Sequence, residues 1–259
     1  MVRAYAQRDV GPHDSDLVEL IPARLEQTLE FQFGECFEVF HADGRHEMAP
    51  KVVIVGAYPR GGCTIALKKG VSSFAIFFQP AGFSRLFKVP LAHLSITSHD
   101  ARAVLGESVS CLHIQLAEEW SFEGRVRLAE NFLLKQLAKG LLDDPMARAA
   151  SHIFAARGAL RIADVAYHHG LGRRHFERRF AQHVGFTPKL FARVARFQTA
   201  LDTKIHFPQC RWVEIAHSLG YHDQMHMVHD FHELAGPAPG LLISMIGDAR
   251  PPALADSDR

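Results

Sequence analysis

The chain has 259 residues, 47% hydrophobic and 22% charged, with a formal net charge of +1. That is enough apolar material for one large core or two modest ones, and too little net charge to name a partner by itself. No apolar run approaches the ~18 residues of a membrane helix, and the polar start "MVRAYAQRDVGPHDSD" lacks the apolar stretch of a signal peptide, so neither a membrane partner nor export is expected.

Residues 29–40, "LEFQFGECFEVF", set Leu29, Phe31, Phe33, Phe37 and Val39 on odd positions with mostly polar residues between them. This period of two predicts half-buried strands broken by a turn at Gly34. "KVVIVGAY", "CTIAL" and "SFAIFFQP" read as further short strands, bounded by turn signals at Asp43-Gly44, Gly61-Gly62 and Pro80-Ala81-Gly82. The four cysteines (Cys36, Cys63, Cys111, Cys210) form no C-x-x-C pair, which argues against a zinc ribbon or disulfide framework and suits a reducing cytoplasm.

From about residue 101 the period becomes helical. Val109, Leu112 and Leu116 make one stripe, and Phe122, Val126, Ala129, Leu133 and Leu137 another, with Lys135 and Lys139 on its wetter side. The second stripe either packs on the sheet or forms a dimer seam. The expected first domain, residues 17–142, is therefore α+β: a small antiparallel barrel or sandwich plus helices. "DDPMARAAS", 143–151, reads as a linker with Asp144-Pro145 as its breaker. An all-α domain is expected over 152–246, and "GDARPPALADSDR", 247–259, reads as a frayed, disordered tail.

Charge divides the same way. Residues 1–150 carry 16 Lys+Arg against 18 Asp+Glu, a balance of −2, whereas 151–246 carry 11 against 7, a balance of +4, with 11 of the 17 histidines. An anionic partner should meet the second half.

That half repeats itself at an offset of about 50 residues. "IADVAYHHGLGRRHFERRFAQHVGFTP" (162–188) aligns with "WVEIAHSLGYHDQMHMVHDFHELAGPAP" (212–239) at Ala166 and Ala216, Gly170 and Gly220, Phe180 and Phe231, Gly185 and Gly236, and Pro188 and Pro239. Each copy predicts a helix, a tight turn at a glycine and a second helix, with alanine allowing a close crossing. Phe176 and Phe180, like Met227 and Phe231, are four apart and make one buried face per copy.

The repeat resembles the paired helix-turn-helix domain of the AraC/XylS family of transcriptional regulators. "PKLFARVARFQTAL" between the copies is similar to that domain's long connecting helix, with Arg196, Ala200 and Leu201 in place. The first half resembles the β-rich, cupin-like domain of some of these regulators, at "FAIFFQPAGFSRLFKVP" (74–90), "AVLG" (103–106) and "SFEGRVRLAENFLLKQL" (121–137). The resemblance covers the helical half most specifically. It departs at Gly172, where a serine N-cap is usual, at Ala238 for threonine, and at His229 and His232 for Arg and Lys.

The resemblance implies a cytoplasmic, sequence-specific regulator of double-stranded DNA, without enzymatic activity or cofactor. A small-molecule effector or homodimerisation would act through the first half, and RNA polymerase would be a partner of an activator. In the first copy, with Phe176 and Phe180 inward, Arg173, Arg174, Glu177 and Arg178 are the expected base-reading or flanking residues. In the second, Asp223 is the expected N-cap, His222 falls in the turn, and Gln224, Met225, His226 and His229 face outward. Arg196, with Arg193, Lys189 and Lys204, is expected to position phosphates. Histidine titrates near neutrality, so binding through His226 and His229 should depend on pH.

Two histidine groups suggest a metal. His226 and His229 have ligand spacing on a helix, but no neighbouring cysteine completes a four-ligand set. His41, His46 and Glu47 lie in "HADGRHE" within the β-rich half and read as a loop, so no metal site is expected. The rival readings are a cupin-like metal-dependent enzyme with an accessory DNA-binding domain, and an adaptor that has lost DNA binding. An alkyl-damage response protein lacks its methyl-accepting cysteine motif here. Tyr58, Phe78 and Phe83 could line a ligand pocket or simply fill the core; the effector-binding residues themselves are unknown.

Overall fold

The computed structural model describes residues 1–41, 43–61, 63–94, 98–248 and 253–256, with the last four and 247–248 described by backbone alone. The first half contains the strands β1 (Val2–Asp9), β2 (Leu17–Ile21), β3 (Thr28–Gln32), β4 (Glu38–His41), β5 (His46–Met48), β6 (Val52–Val55), β7 (Cys63–Leu67) and β8 (Ser72–Phe78). Helices α1 (Gly82–Phe87) and α2 (Leu91–Leu94), strand β9 (Ser98–Asp100), and helices α3 (Ala101–Leu105), α4 (Glu107–Glu118) and α5 (Phe122–Leu137) follow. The expected Gly61-Gly62 turn includes Gly62, which lies outside the described residues.

All strands pair antiparallel in two sheets. One runs β10-β1-β8-β3-β6-β9, where β10 is Ala253–Asp256, and the other runs β2-β7-β4-β5. Residues 253–256, expected in a frayed tail, thus pair with β1 (Ala4 opposite Asp256), while 249–252 and 257–259 lie outside the described residues.

The central strand β3 corrects the half-buried expectation, being buried along its whole length. Leu29 and Phe31 pack with Phe74, Ile76, Val109, Leu112, Leu116, Ala129 and Leu133 beneath α4 and α5. The α5 stripe therefore packs on the sheet at Ala129 and Leu133, although Leu134 and Leu137 stay exposed. The alternate residues Thr28, Glu30 and Gln32 are buried as well, because their face meets the second sheet. Gln32 holds that meeting by accepting from Phe37 N–H (3.0 Å) and donating to the Pro50 carbonyl (2.6 Å). At Gly34 the chain passes the Gly70 carbonyl so closely that any Cβ would collide with it.

The second half comprises α6 (Pro145–Ala155), α7 (Ile162–His168), α8 (Arg173–Val184), α9 (Pro188–His206), α10 (Trp212–Ser218), α11 (Gln224–Ala235) and α12 (Pro239–Asp248). Residues 145–151, read from sequence as linker, belong to α6. Asp144 caps it by accepting from Met146 N–H at 2.8 Å, with Pro145 in the first turn. Asp-Pro blocks a helix arriving from the N-terminal side but favours one that starts there. Met146, Ala147, Ala149, Ala150 and Ile153 of α6 are fully buried with Phe176, Phe180, Phe197 and Phe231.

This helical core does not stop at the boundary between the halves, for Ala23, Leu25, Ala57, Ala81 and Leu91 belong to it. Leu234 lies in the last turn of α11, where carbonyls lack helical partners. Its oxygen accepts from both Ala23 and Gly61 N–H, each at 2.9 Å. On α9, the Gln198 amide oxygen accepts from Leu25 N–H (3.1 Å) while its nitrogen donates to Glu26. Arg3 bridges Glu26 and Asp202. Because Glu26 is 3% exposed, loss of a donor to it is costly. Gln198→Ala is expected to lower stability by about 1–3 kcal/mol, read as a fall in the urea midpoint of the full chain.

Candidate nucleic-acid interface

Each repeat copy builds a short helix, a turn and a longer helix. The turn glycines Gly170 and Gly220 adopt φ of 65° and 70°, a region that side chains disfavour. In the first copy Val165 and Ala166 of α7 pack against Phe176, Phe180 and Val184 of α8. Arg173, Arg174 and Arg178 of α8 are exposed and Glu177 is half-buried. Arg173 Nε donates to Glu177 at 2.9 Å, so these two are already paired. Arg174 and Arg178 make no side-chain bond among the described residues, leaving both forks open. Gln182, four residues beyond Arg178, extends the exposed row, a continuation that helical spacing alone could have given. Gly172 starts α8 with no side-chain cap.

The second copy starts better. Asp223 Oδ1 accepts from His226 N–H at 2.7 Å and caps α11. That bond, followed by the His222 contact, holds the Asp223 carboxyl below its ordinary 3.8. A depressed carboxylate stabilises the fold above its ordinary value and loses that contribution only as pH falls below it, so the cap does not change near neutrality. His222 is in the turn, with Nδ1 3.1 Å from Asp223. Met227 and Phe231 are buried, whereas Gln224, Met225, His226 and His229 are exposed, Met225 by 70%. The His226 ring lies edge-on to Tyr221 (5.4 Å), and His229 Nε2 is 3.1 Å from Glu233.

The connector α9 begins at the Thr187 cap, which accepts from Leu190 N–H at 3.3 Å. Its cations are mostly engaged within the domain. Arg193 forks onto Asp230 (2.6 and 3.0 Å) and reaches Glu233, fastening α11 to α9. The Arg196 guanidinium stacks over Tyr221 at 5.1 Å, with its Nε buried and unpartnered. Burial, then Asp230, pushes the Tyr221 hydroxyl pKa up. Lys204 donates to the Pro208 and Cys210 carbonyls (2.6 and 2.7 Å) and lies over Trp212. Of the four expected phosphate contacts, only Lys189 is exposed with no side-chain partner among the described residues. Asp230, 1% exposed, was missed in the sequence although it shares the inward face of Met227 and Phe231.

The first half holds a cavity of about 70 Å³ between its sheets. Tyr58 lines it. Phe78 and Phe83 meet edge-to-face (5.3 Å) in the core on the other side of the first sheet. In the β4–β5 hairpin His41 Nε2 is 3.2 Å from Glu47 and His46 Nε2 3.1 Å from Glu38. Among the described residues no three His, Cys, Asp or Glu side chains are placed to hold a metal ion.

Residues 154–243 match the family model of the helix-turn-helix domain. The second half is a helix-turn-helix domain of the AraC type. With it, the chain is a DNA-binding transcriptional regulator. No curated protein matches the sequence. The whole fold is similar to that of ToxT from Vibrio cholerae, at 10% identity over 93% of this chain and 97% of that one, with a TM-score of 0.53. Unsaturated-fatty-acid-bound ToxT from Vibrio cholerae strain SCE256 is similar over 95% of each chain, at 10% identity and a TM-score of 0.53. Both likenesses concern the fold: β-rich first half, then the helical domain. No helix among the described residues is long and apolar enough to cross a membrane.

Arg193→Ala should leave Asp230 buried and unpaired. A broken buried pair costs about 3–5 kcal/mol, and the low end is expected because Arg193 keeps 24% of its side-chain surface. Chemical denaturation would measure the loss, with operator affinity falling in parallel.

Proposed function

We propose that the two helix-turn-helix units enter successive major grooves on one face of DNA, about 34 Å apart, and that the first half modulates them. One observation carries this reading: both repeat copies bury an aromatic-bearing face and present a polar one at matching positions. Arg174 and Arg178 read guanine edges through their open forks, with Arg173 and Glu177 beside them. Gln224 reads adenine, Met225 meets a thymine methyl, and His226 and His229 add further contacts. Arg196 acts from behind, positioning the second copy through Tyr221, and Lys189 meets phosphate. The domains are residues 17–142 with β1 added, and 152–246 with α6 joined to it.

Selection of bound sequences from random DNA tests the mode. Two blocks one helical turn apart are expected; no enrichment at low salt would overturn it. Arg174→Ala should weaken the selected site by about 1–3 kcal/mol and relax one position. Lys189→Ala should weaken all sequences alike and reduce the log–log salt slope by about 0.9.

An effector in the first half is supported by the cavity between the sheets and by the similar fold of a protein solved with a fatty acid bound. Dimerisation is the second route, supported by the exposed Leu134 and Leu137 on α5. Sedimentation of wild type against Leu134→Glu would distinguish it, with a shift to monomer expected if α5 is the seam.

A further inference from the structure

We propose that the cavity between the two sheets binds a short hydroxylated carboxylate on Arg24, and that the segment bearing Arg24 passes its occupancy to the helical half. The inference rests on the regulator reading and gives its effector a chemical class.

Unmatched polar atoms in the wall define what is missing. Thr28 is 1% exposed and its Oγ1 has no hydrogen-bond partner; the Arg24 Nε and the Gln7 Oε1 are buried and unpartnered too. All three residues line the cavity. Buried polar groups left in this state are costly and call for a partner. Gln7 already donates its amide nitrogen to Asp9 at 2.8 Å, so its free oxygen needs a donor, such as a ligand hydroxyl.

The acids near Arg24 are committed elsewhere. Glu30 accepts from Ser73 (2.8 Å) and faces Arg8 (3.6 Å), while Glu26 is held by Arg3 and Gln198. Arg24 forms no ion pair among the described residues. Burial pulls its pKa down, against the opposing pull of Glu26 and Glu30, so its charge lacks solvation that an anion would restore. A carboxylate matches a guanidinium fork in geometry as well as charge.

Size narrows the class. The cavity volume of about 70 Å³ is on the scale of a small molecule. A three- or four-carbon hydroxy acid matches that size.

The coupling is in the covalent order of four residues. Arg24 exchanges backbone hydrogen bonds with Tyr58 (2.7 and 2.8 Å), which also lines the cavity. Immediately before it, Ala23 holds the Leu234 carbonyl of the second recognition helix. Immediately after, Leu25 and Glu26 hold Gln198 of the connector. An anion drawing on the Arg24 guanidinium thus loads the segment that fixes both α9 and α11.

Calorimetric titration of the full chain with glycerate, its neutral amide glyceramide, and oleate tests the site. One-to-one glycerate binding is expected, at least tenfold weaker for glyceramide and for Arg24→Gln. Thr28→Val keeps the test open should Arg24→Gln not fold, and should also weaken glycerate at least tenfold. Hydrogen exchange should show glycerate protecting residues 23–26 and 224–235 together. Equal binding of glycerate and glyceramide, no glycerate binding at millimolar concentration, binding of oleate alone, or protection confined to the sheets would each overturn the proposal. Operator affinity measured on the same preparations separates the two failures: intact selective DNA binding without glycerate binding removes this inference and leaves the regulator reading standing.

Discussion

The last carbonyls of a helix have no partner within it, and in this protein one of them joins the two halves. The Leu234 oxygen at the end of α11 receives two amides from the β-rich half, those of Ala23 and Gly61. The approach is so close that a Cβ on Gly61 would run into that same carbonyl. Since Leu25, Ala57 and Leu91 share the apolar core of the helical domain, neither half closes its packing alone. The position of α11 is therefore set by both halves of the chain.

The same economy governs the charges. A balance of +4 over residues 151–246 is modest for a protein that meets phosphates, and most of the connector's cations hold the domain together. Arg193 secures Asp230, Lys204 closes the loop before α10, and Arg196 supports Tyr221. Outward positive charge is concentrated on α8, while α11 presents an amide, a thioether and imidazoles. The two units therefore present different chemistry, one cationic and one nearly neutral.

The repeat was legible because it is local. Glycine at a positive φ, an aromatic pair four residues apart, and an aspartate ahead of a helix act within a few residues, so Gly170, Phe176, Phe180 and Asp223 announce their roles in one dimension. The β3 strand was half legible. Its period of two correctly separated Leu29 and Phe31 from Thr28 and Glu30, but a polar face pointing at a second sheet reads like one pointing at water. Asp144-Pro145 announced a break, and only packing shows that the break begins a helix whose alanines fill the core. The partners of Arg193 and Arg196, Asp230 and Tyr221, were not legible because they lie on other elements.

The sequence by itself determined the order of the layers, the two helix-turn-helix units and the buried side of α8 and α11, because periodicity and turn chemistry are short-range. Tertiary structure alone decided which cations remain free for a partner and which polar strand residues surround a cavity. It also decided how the halves are fastened, through a helix-end carbonyl, a buried glutamate and a glutamine far apart in the chain. Those properties depend on the partner opposite each group, and distance along the chain carries no record of that partner.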